Sequence, residues 1–301
     1  MLKNRWVRRT LFTLGGLVAA LASVVVAGFL LADYRMARRV EVVVAPLVLP
    51  TDAAAVERGR YLYATRGCKH CHGATGAGSV IVDKGNLKIA GPHIGNGQGS
   101  TTAGYSTADW DRAIRHGVGP GGRPLRIMPS VDYNRLTDAD LGALVTYLKQ
   151  LPAATGGAAV VQLPLLLRLL YGFGAIPDAA SRIDHDLPPQ APVPEGATVE
   201  HGRYVAQMCT GCHGAGFGGG KVPGGPPDWP AAANLTPGEG GVMGRYADAG
   251  AFAKMMRGGQ RPDGSRISVM PFEALAAMSE ADLNGMYLFL KSLPPRPAGA
   301  R

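Results

Sequence analysis

The chain has no cysteine to spare. Four occur in 301 residues, and all four are taken up by two short motifs, so none is left for a disulfide framework. No basic stripe with interleaved aromatics is present either, which removes most of the case for nucleic acid as a partner. The formal charge is +9, but it is front-loaded. Residues 1–50 hold seven Lys/Arg against two Asp/Glu, residues 51–152 twelve against eight, and residues 153–301 twelve of each. Material for a large sheet is also scarce: 43 Gly and 23 Pro point to long loops between short helices.

What is present is Cys68-Lys69-His70-Cys71-His72, answered by Cys209-Thr210-Gly211-Cys212-His213. C-x-x-C-H is the attachment pattern of c-type haem. Two thiols one helical turn apart form thioethers to the two vinyl groups of one porphyrin, and the adjoining histidine reaches iron as proximal ligand. Two disulfides, or one four-cysteine zinc site, would not explain a histidine after the second cysteine both times. Two covalently bound haem c groups are expected, on Cys68, Cys71, Cys209 and Cys212, with His72 and His213 on iron.

The motifs sit inside a longer repeat. Val56-Glu57-Arg58-Gly59-Arg60-Tyr61 precedes the first, and Val199-Glu200-His201-Gly202-Arg203-Tyr204 the second. Met128-Pro129 and Met270-Pro271 follow Gly/Pro-rich loops at matching places. Each repeat closes with a helix, expected from Thr137 and Ser279 as N-caps, with Asp140 and Asp282 three positions on, close to a capping box. One apolar face carries Leu141, Leu144 and Leu148, its counterpart Leu283, Met286 and Leu290. Pro152 and Pro294 stop the helices.

A soft thioether as second axial ligand favours ferrous iron and suits electron transfer. Met128 and Met270 are therefore expected on iron, singled out from ten methionines by their matched positions. His116 and His93 are the rivals to Met128; His201, His185 and His70 read as ordinary histidines. Gly91-Pro92 and Gly225-Pro226-Pro227 offer carbonyls for the proximal imidazoles. Arg115, Arg123, Arg257 and Arg266 are candidates for haem propionates or for plain surface charge. Trp110, Trp229, Tyr105 and Tyr246 are expected to line the pockets.

The expected organisation is all-α. Residues 1–9 form a basic flank (Lys3, Arg5, Arg8, Arg9), and the uncharged run 10–32 is long enough to cross a bilayer. A cleaved signal, with Val25 and Ala27 before the cut, is the competing reading. A stalk follows over 33–50, then a first cytochrome c-like domain over 51–152, a linker over 153–196 and a second domain over 197–301. In the linker, Leu163–Tyr171 is too short to span a membrane. It reads as a helix wedged between domains, or resting on the membrane or a partner.

Gly-Arg-Tyr before each C-x-x-C-H-G, Asn234-Leu235-Thr236-Pro237, Gly122-Arg123-Pro124, Pro262-Asp263-Gly264, and Met-Pro before a T/S-x-A-D-L helix together resemble one family. It comprises the membrane-anchored cytochrome c subunits of periplasmic alcohol, gluconate and aldehyde dehydrogenases. The chain departs from it in having no third C-x-x-C-H, and in reading Gly95-Asn96-Gly97-Gln98 where the second repeat has Asn-Leu-Thr-Pro. The resemblance implies an electron-transfer subunit rather than a catalyst, with no catalytic residues of its own. It would be held in the bacterial inner membrane by its N-terminal helix, with haem domains in the periplasm. Electrons would come from a dehydrogenase and leave to an oxidase, another cytochrome or quinone. The alternative is a dihaem peroxidase or thiosulfate-oxidising enzyme. The first needs an open iron, and the second is expected to use a cysteine ligand that the chain lacks.

Overall fold

The computed structural model describes every residue except Met1 and Pro227, with side chains from Arg5 onward. Of the residues singled out above, Pro227 and the Lys3 side chain lie outside that description.

The chain is mostly helical and starts with one long helix, α1 (Leu2–Ala37). It overruns the expected 10–32 at both ends, because the flanking arginines are good helix formers. Arg5–Ala37, whose most apolar 18-residue window has mean hydropathy 2.4, is long and apolar enough to cross a membrane. The chain then runs extended to Pro50. This segment is no free stalk. Leu47 is buried against the first half, Val40 N–H donates to Gly122 O (2.8 Å), and Pro50 O accepts from Thr146 Oγ1 (2.8 Å).

The first repeat contains α2 (Ala53–Thr65), α3 (Cys68–His72), α4 (Thr107–His116) and α5 (Asp138–Leu148). Between α3 and α4 lies a hairpin, β1 (Val80–Lys84) and β2 (Leu87–Ala90), turning at Gly85 with φ +58°. The linker adds β3 (Val160–Gln162) antiparallel to β2, then forms α6 (Leu165–Gly172). This three-stranded sheet corrects the all-α expectation. Its signal was the β-branched run Val80-Ile81-Val82 and the alternating Leu87-Lys88-Ile89 on either side of Lys84-Gly85-Asn86, a turn-bounded hairpin pattern. The second repeat has no sheet among the described residues and contains α7 (Val199–Ala206), α8 (Thr210–His213), α9 (Ala249–Gly258), α10 (Phe272–Ala276) and α11 (Glu280–Ser292).

Each repeat is built on one helix crossing, and a glycine makes it possible. Where α2 meets α5, a Cβ on Gly59 would stand 2.1 Å from Ala143 O; where α7 meets α11, one on Gly202 would stand 1.8 Å from Gly285 O. Backbones this close leave no room for any side chain. The glycine of Gly-Arg-Tyr is thus a packing requirement, with a separate apolar cluster beside each crossing. One cluster centres on Leu62, Leu141 and Val145, the other on Met243, Leu283 and Met286.

The tyrosine of the same tripeptide joins the halves. Thr137 and Ser279 do cap their helices, accepting from Asp140 N and Asp282 N (both 3.1 Å). The reciprocal half of the capping box is absent, because a tyrosine from the other repeat is inserted there. Ser279 N–H donates to Tyr61 Oη (2.9 Å), which donates to Asp282 (2.7 Å). Thr137 N–H donates to Tyr204 Oη (3.3 Å), which donates to Asp140 (2.6 Å). Arg58 forks onto Asp140 (2.8 and 2.9 Å). At the matching place His201 meets Asp282 (2.8 Å), and buried Arg66 of the first repeat adds a second contact (3.2 Å).

Candidate cofactor sites

The two C-x-x-C-H segments occupy equivalent positions, each immediately after its crossing helix. α3 is entered through Gly67 (φ +79°) and left through Gly73 (φ +73°); α8 is left through Gly214 (φ +80°). These left-handed positions let α3 stand alone between two sharp bends and turn the chain sharply away at the end of α8. All four thiols are free. Burial pushes Cys68 and Cys209 up to about 12, and raises Cys71 and Cys212 as well. No group of three or more metal-ligating side chains exists among the described residues.

Both motif histidines are buried and point one nitrogen at a backbone carbonyl. His72 Nδ1 bonds Pro92 O (3.0 Å), and His213 Nδ1 bonds Ala233 O (2.8 Å). That fixes Nδ1 as the protonated nitrogen and leaves Nε2 as a lone-pair donor. Burial lowers both imidazole pKa values, partly offset by these carbonyls. Pro92 is as the sequence suggested. The second carbonyl is a correction: Ala233 supplies it, not Gly225-Pro226-Pro227. Both acceptors lie twenty positions beyond their histidine, a spacing from which Ala233 was legible.

That spacing also realigns the repeats. His93 and Asn234 each follow the accepting residue, so Asn234 is the counterpart of His93 in the second repeat. Both are buried (0% and 2% exposed), and each gives its carbonyl to a later loop, to Thr101 N and Val242 N (both 2.9 Å). His93 thus belongs to the loop that holds His72. His116 faces His185, Nδ1 to Nδ1 at 3.0 Å. Burial, with His185 adding to it, pushes its pKa down to about 4. The pair borders an open cavity of about 780 Å³ under the extended segment 43–50.

Met128 and Met270 are half-buried and pack against the clusters that also receive Cys68 and Cys209 respectively. Met243, Met255, Met256, Met278 and Met286 are instead fully inside the second cluster. Trp110 is buried edge-on to Tyr105 (5.4 Å between ring centroids), and its Nε1–H has no partner. Tyr246 is buried against Phe252, whereas Trp229 is 36% exposed. Two of the four candidate arginines are committed elsewhere. Arg115 is 2% exposed and binds Asp111 and Asp138 (3.0 and 2.7 Å), and Arg257 pairs with Glu280 (2.8 Å). Arg123 and Arg266 are exposed.

Each repeat also presses the segment after its Met-Pro onto the other repeat's motif. Asp132 accepts from Gly211 N (2.7 Å), and burial pushes its carboxyl up to about 7. Glu273 pairs with Lys69 (2.7 Å). Nothing in the sequence pattern marked these contacts, which exist only because the halves pack face to face.

These features fit a covalently held haem in each repeat. Paired thiols stand beside an imidazole with a free Nε2, a methionine lies in the same cluster, and in the first repeat a buried indole N–H lacks an acceptor. Comparison with known proteins agrees with this chemistry. Residues 56–152 match the family described as cytochrome c, whose members carry covalently attached haem c. The chain is 28% identical over 271 residues to a subunit of the nicotinate dehydrogenase of Pseudomonas putida, covering 82% of this chain and 22% of that protein. It is 32% identical over 109 residues to the fructose dehydrogenase cytochrome subunit of Gluconobacter japonicus, covering 33% of this chain and 22% of that one. The chain therefore spans about a fifth of the length of the curated relatives it matches.

Proposed function

We propose that the chain is a dihaem c-type cytochrome: two tandem cytochrome c-like domains, 51–152 and 197–301, that pass single electrons and catalyse nothing themselves. The donor is a periplasmic dehydrogenase, in keeping with the dehydrogenase names of both relatives. The acceptor is an oxidase, another cytochrome or quinone. α1 holds the protein in the bacterial inner membrane with both haem domains on the periplasmic side.

Repetition carries this reading. Twice, a C-x-x-C-H turn follows a glycine-dependent helix crossing, with the histidine Nδ1 on a carbonyl twenty residues ahead. Haem, when bound, supplies a reversible one-electron couple at its iron. The chain's own residues set how that couple is held. Cys68 and Cys71, and Cys209 and Cys212, fix the ring by thioethers. His72 and His213 offer Nε2 to iron while Pro92 and Ala233 hold their tautomer. Met128 and Met270, each packed in the cluster that receives its repeat's first cysteine, would supply the second ligand and keep small molecules out. Trp110 Nε1–H, which has no acceptor among the described residues, would be available to a haem carboxylate.

The test is a haem count and a spectrum of the full-length protein. Two haems per chain, low-spin ferric spectra with a Met–iron charge-transfer band, and no CO uptake when reduced are expected. One haem per chain defeats the dihaem reading, and a CO-binding haem restores the dihaem peroxidase.

A further inference from the structure

α6 has an apolar face that the rest of the protein leaves bare. Leu165 and Leu166 are 69% and 65% exposed, and Phe173, just past the helix, is 50% exposed. The face is continuous with the contact to α1. Leu169 and Phe173 reach Gly28 of α1, where an added Cβ would stand 2.6 and 2.7 Å from them, and Gly172 backs onto Gly28 O. Gly28 and Ala32 are buried on α1, while Leu17, Val18 and Leu21 farther up the helix are 61–66% exposed.

The position of this crossing matters. Gly28 lies four residues inside the end of the uncharged run, roughly 6 Å along the axis at 1.5 Å per residue. If that run fills the hydrocarbon layer, α6 lies at the boundary between acyl chains and headgroups, the depth at which amphipathic helices rest on a bilayer, about 5–10 Å in. Polar groups ring the crossing on the side away from the run. Arg168 pairs with Asp33, and Arg38 forks onto Asp178 (2.7 and 2.8 Å), which also accepts from Tyr171 Oη (2.9 Å). The clasp ties α1 and α6 to one rigid seam, charged toward water and apolar toward the span.

We infer that α6 is a second, monotopic membrane contact: Leu165, Leu166 and Phe173 enter the lipid beside α1 and fix the tilt of the haem-bearing part over the surface. The occupant is lipid rather than a protein partner, because the bare face adjoins α1 at Gly28, inside the uncharged run in which Leu17, Val18 and Leu21 are themselves bare. A partner seated there would have to enter the acyl region too. The inference rests on α1 as a membrane anchor.

The test uses the full-length holoprotein in vesicles of phosphatidylethanolamine and phosphatidylglycerol, with no partner present. A polarity-sensitive dye is placed in turn on L21C, L166C and F173C, and quenching by spin-labelled lipid is compared with quenching by a water-soluble agent. All three sites should show blue-shifted emission and lipid-side quenching, with L21C deepest. If L21C is lipid-shielded while L166C and F173C are quenched only from water, the inference about α6 is wrong and the anchor stands. If L21C is itself water-accessible, the anchor reading fails and the inference falls with it.

Discussion

The phenol of Tyr61 lies 2.7 Å from the carboxylate of Asp282, across 221 residues of sequence. Tyr204 makes the mirror contact to Asp140. Each hydroxyl sits between an N-cap amide and the carboxylate at the third helical position, so one side chain serves a helix terminus and an interface together. Burial, with the neighbouring Asp140, pushes the Tyr204 phenol up to about 12. It stays a donor at any ordinary pH.

Removing one hydroxyl leaves a buried carboxylate short of a donor and a cap amide short of an acceptor. Y61F and Y204F should each cost about 1–3 kcal/mol, the range for leaving a buried polar group short of a partner. Thermal unfolding of the single and double variants checks this. Equal losses in both would match the exchanged geometry, whereas an unchanged midpoint in either would contradict it.

The same carboxylates set a response to acid. Burial works to raise both, but bonds and charge from Arg58 outweigh it at Asp140, and the Arg66 charge with bonds from Tyr61 and His201 outweighs it at Asp282. Both end below the unfolded value of 3.8. A depressed carboxyl contributes stability that is fully present above its unfolded pKa and is lost as pH falls through the folded one. The contact between halves should therefore hold above about pH 4 and weaken progressively below it. D282N should flatten that part of the stability curve, measured by denaturant midpoints at successive pH values.

At the helix crossings the prediction is steric. G59A and G202A place a methyl within 2.1 and 1.8 Å of backbone oxygen, where no rotamer offers relief. Each should destabilise by about 1–3 kcal/mol or more, the usual range for overpacking. G157A, where nothing stands within 4 Å, is the control and should behave as the parent in the same melt.

The proposed distal ligands can be separated by site. M128A and M270A should each convert one haem of two to a high-spin form that takes up CO when reduced, with the other unchanged. H116A and H93A should leave both spectra low-spin. A CO-binding haem in H116A, or none in M128A, would reassign the ligand.

Much of this was legible because it is local. The cysteine spacing, the caps at Thr137 and Ser279 and the apolar faces of α5 and α11 all depend on residues within a few positions of each other. The hairpin at 80–90 was legible too, but Gly/Pro abundance weighed against any sheet, and β3 comes from a linker seventy residues beyond it. What stayed hidden depends on the other half of the molecule. Arg115 reads like a free cation until Asp111 and Asp138 close on it, and Asp132 gives no sign that it will meet Gly211.

The inserted tyrosines also impose an order on biogenesis. Thr137 and Tyr204 are 67 residues apart. At roughly 5–20 residues per second, synthesis leaves the first repeat for about 3–13 seconds with the Thr137 amide short of its acceptor and Asp140 one donor short. Until the ribosome has delivered the second repeat, the first is a nearly finished fold waiting for its last residue, and α11 in turn is complete only against an already folded Tyr61. Neither half can reach full stability as a solitary domain, so the chain matures as one unit.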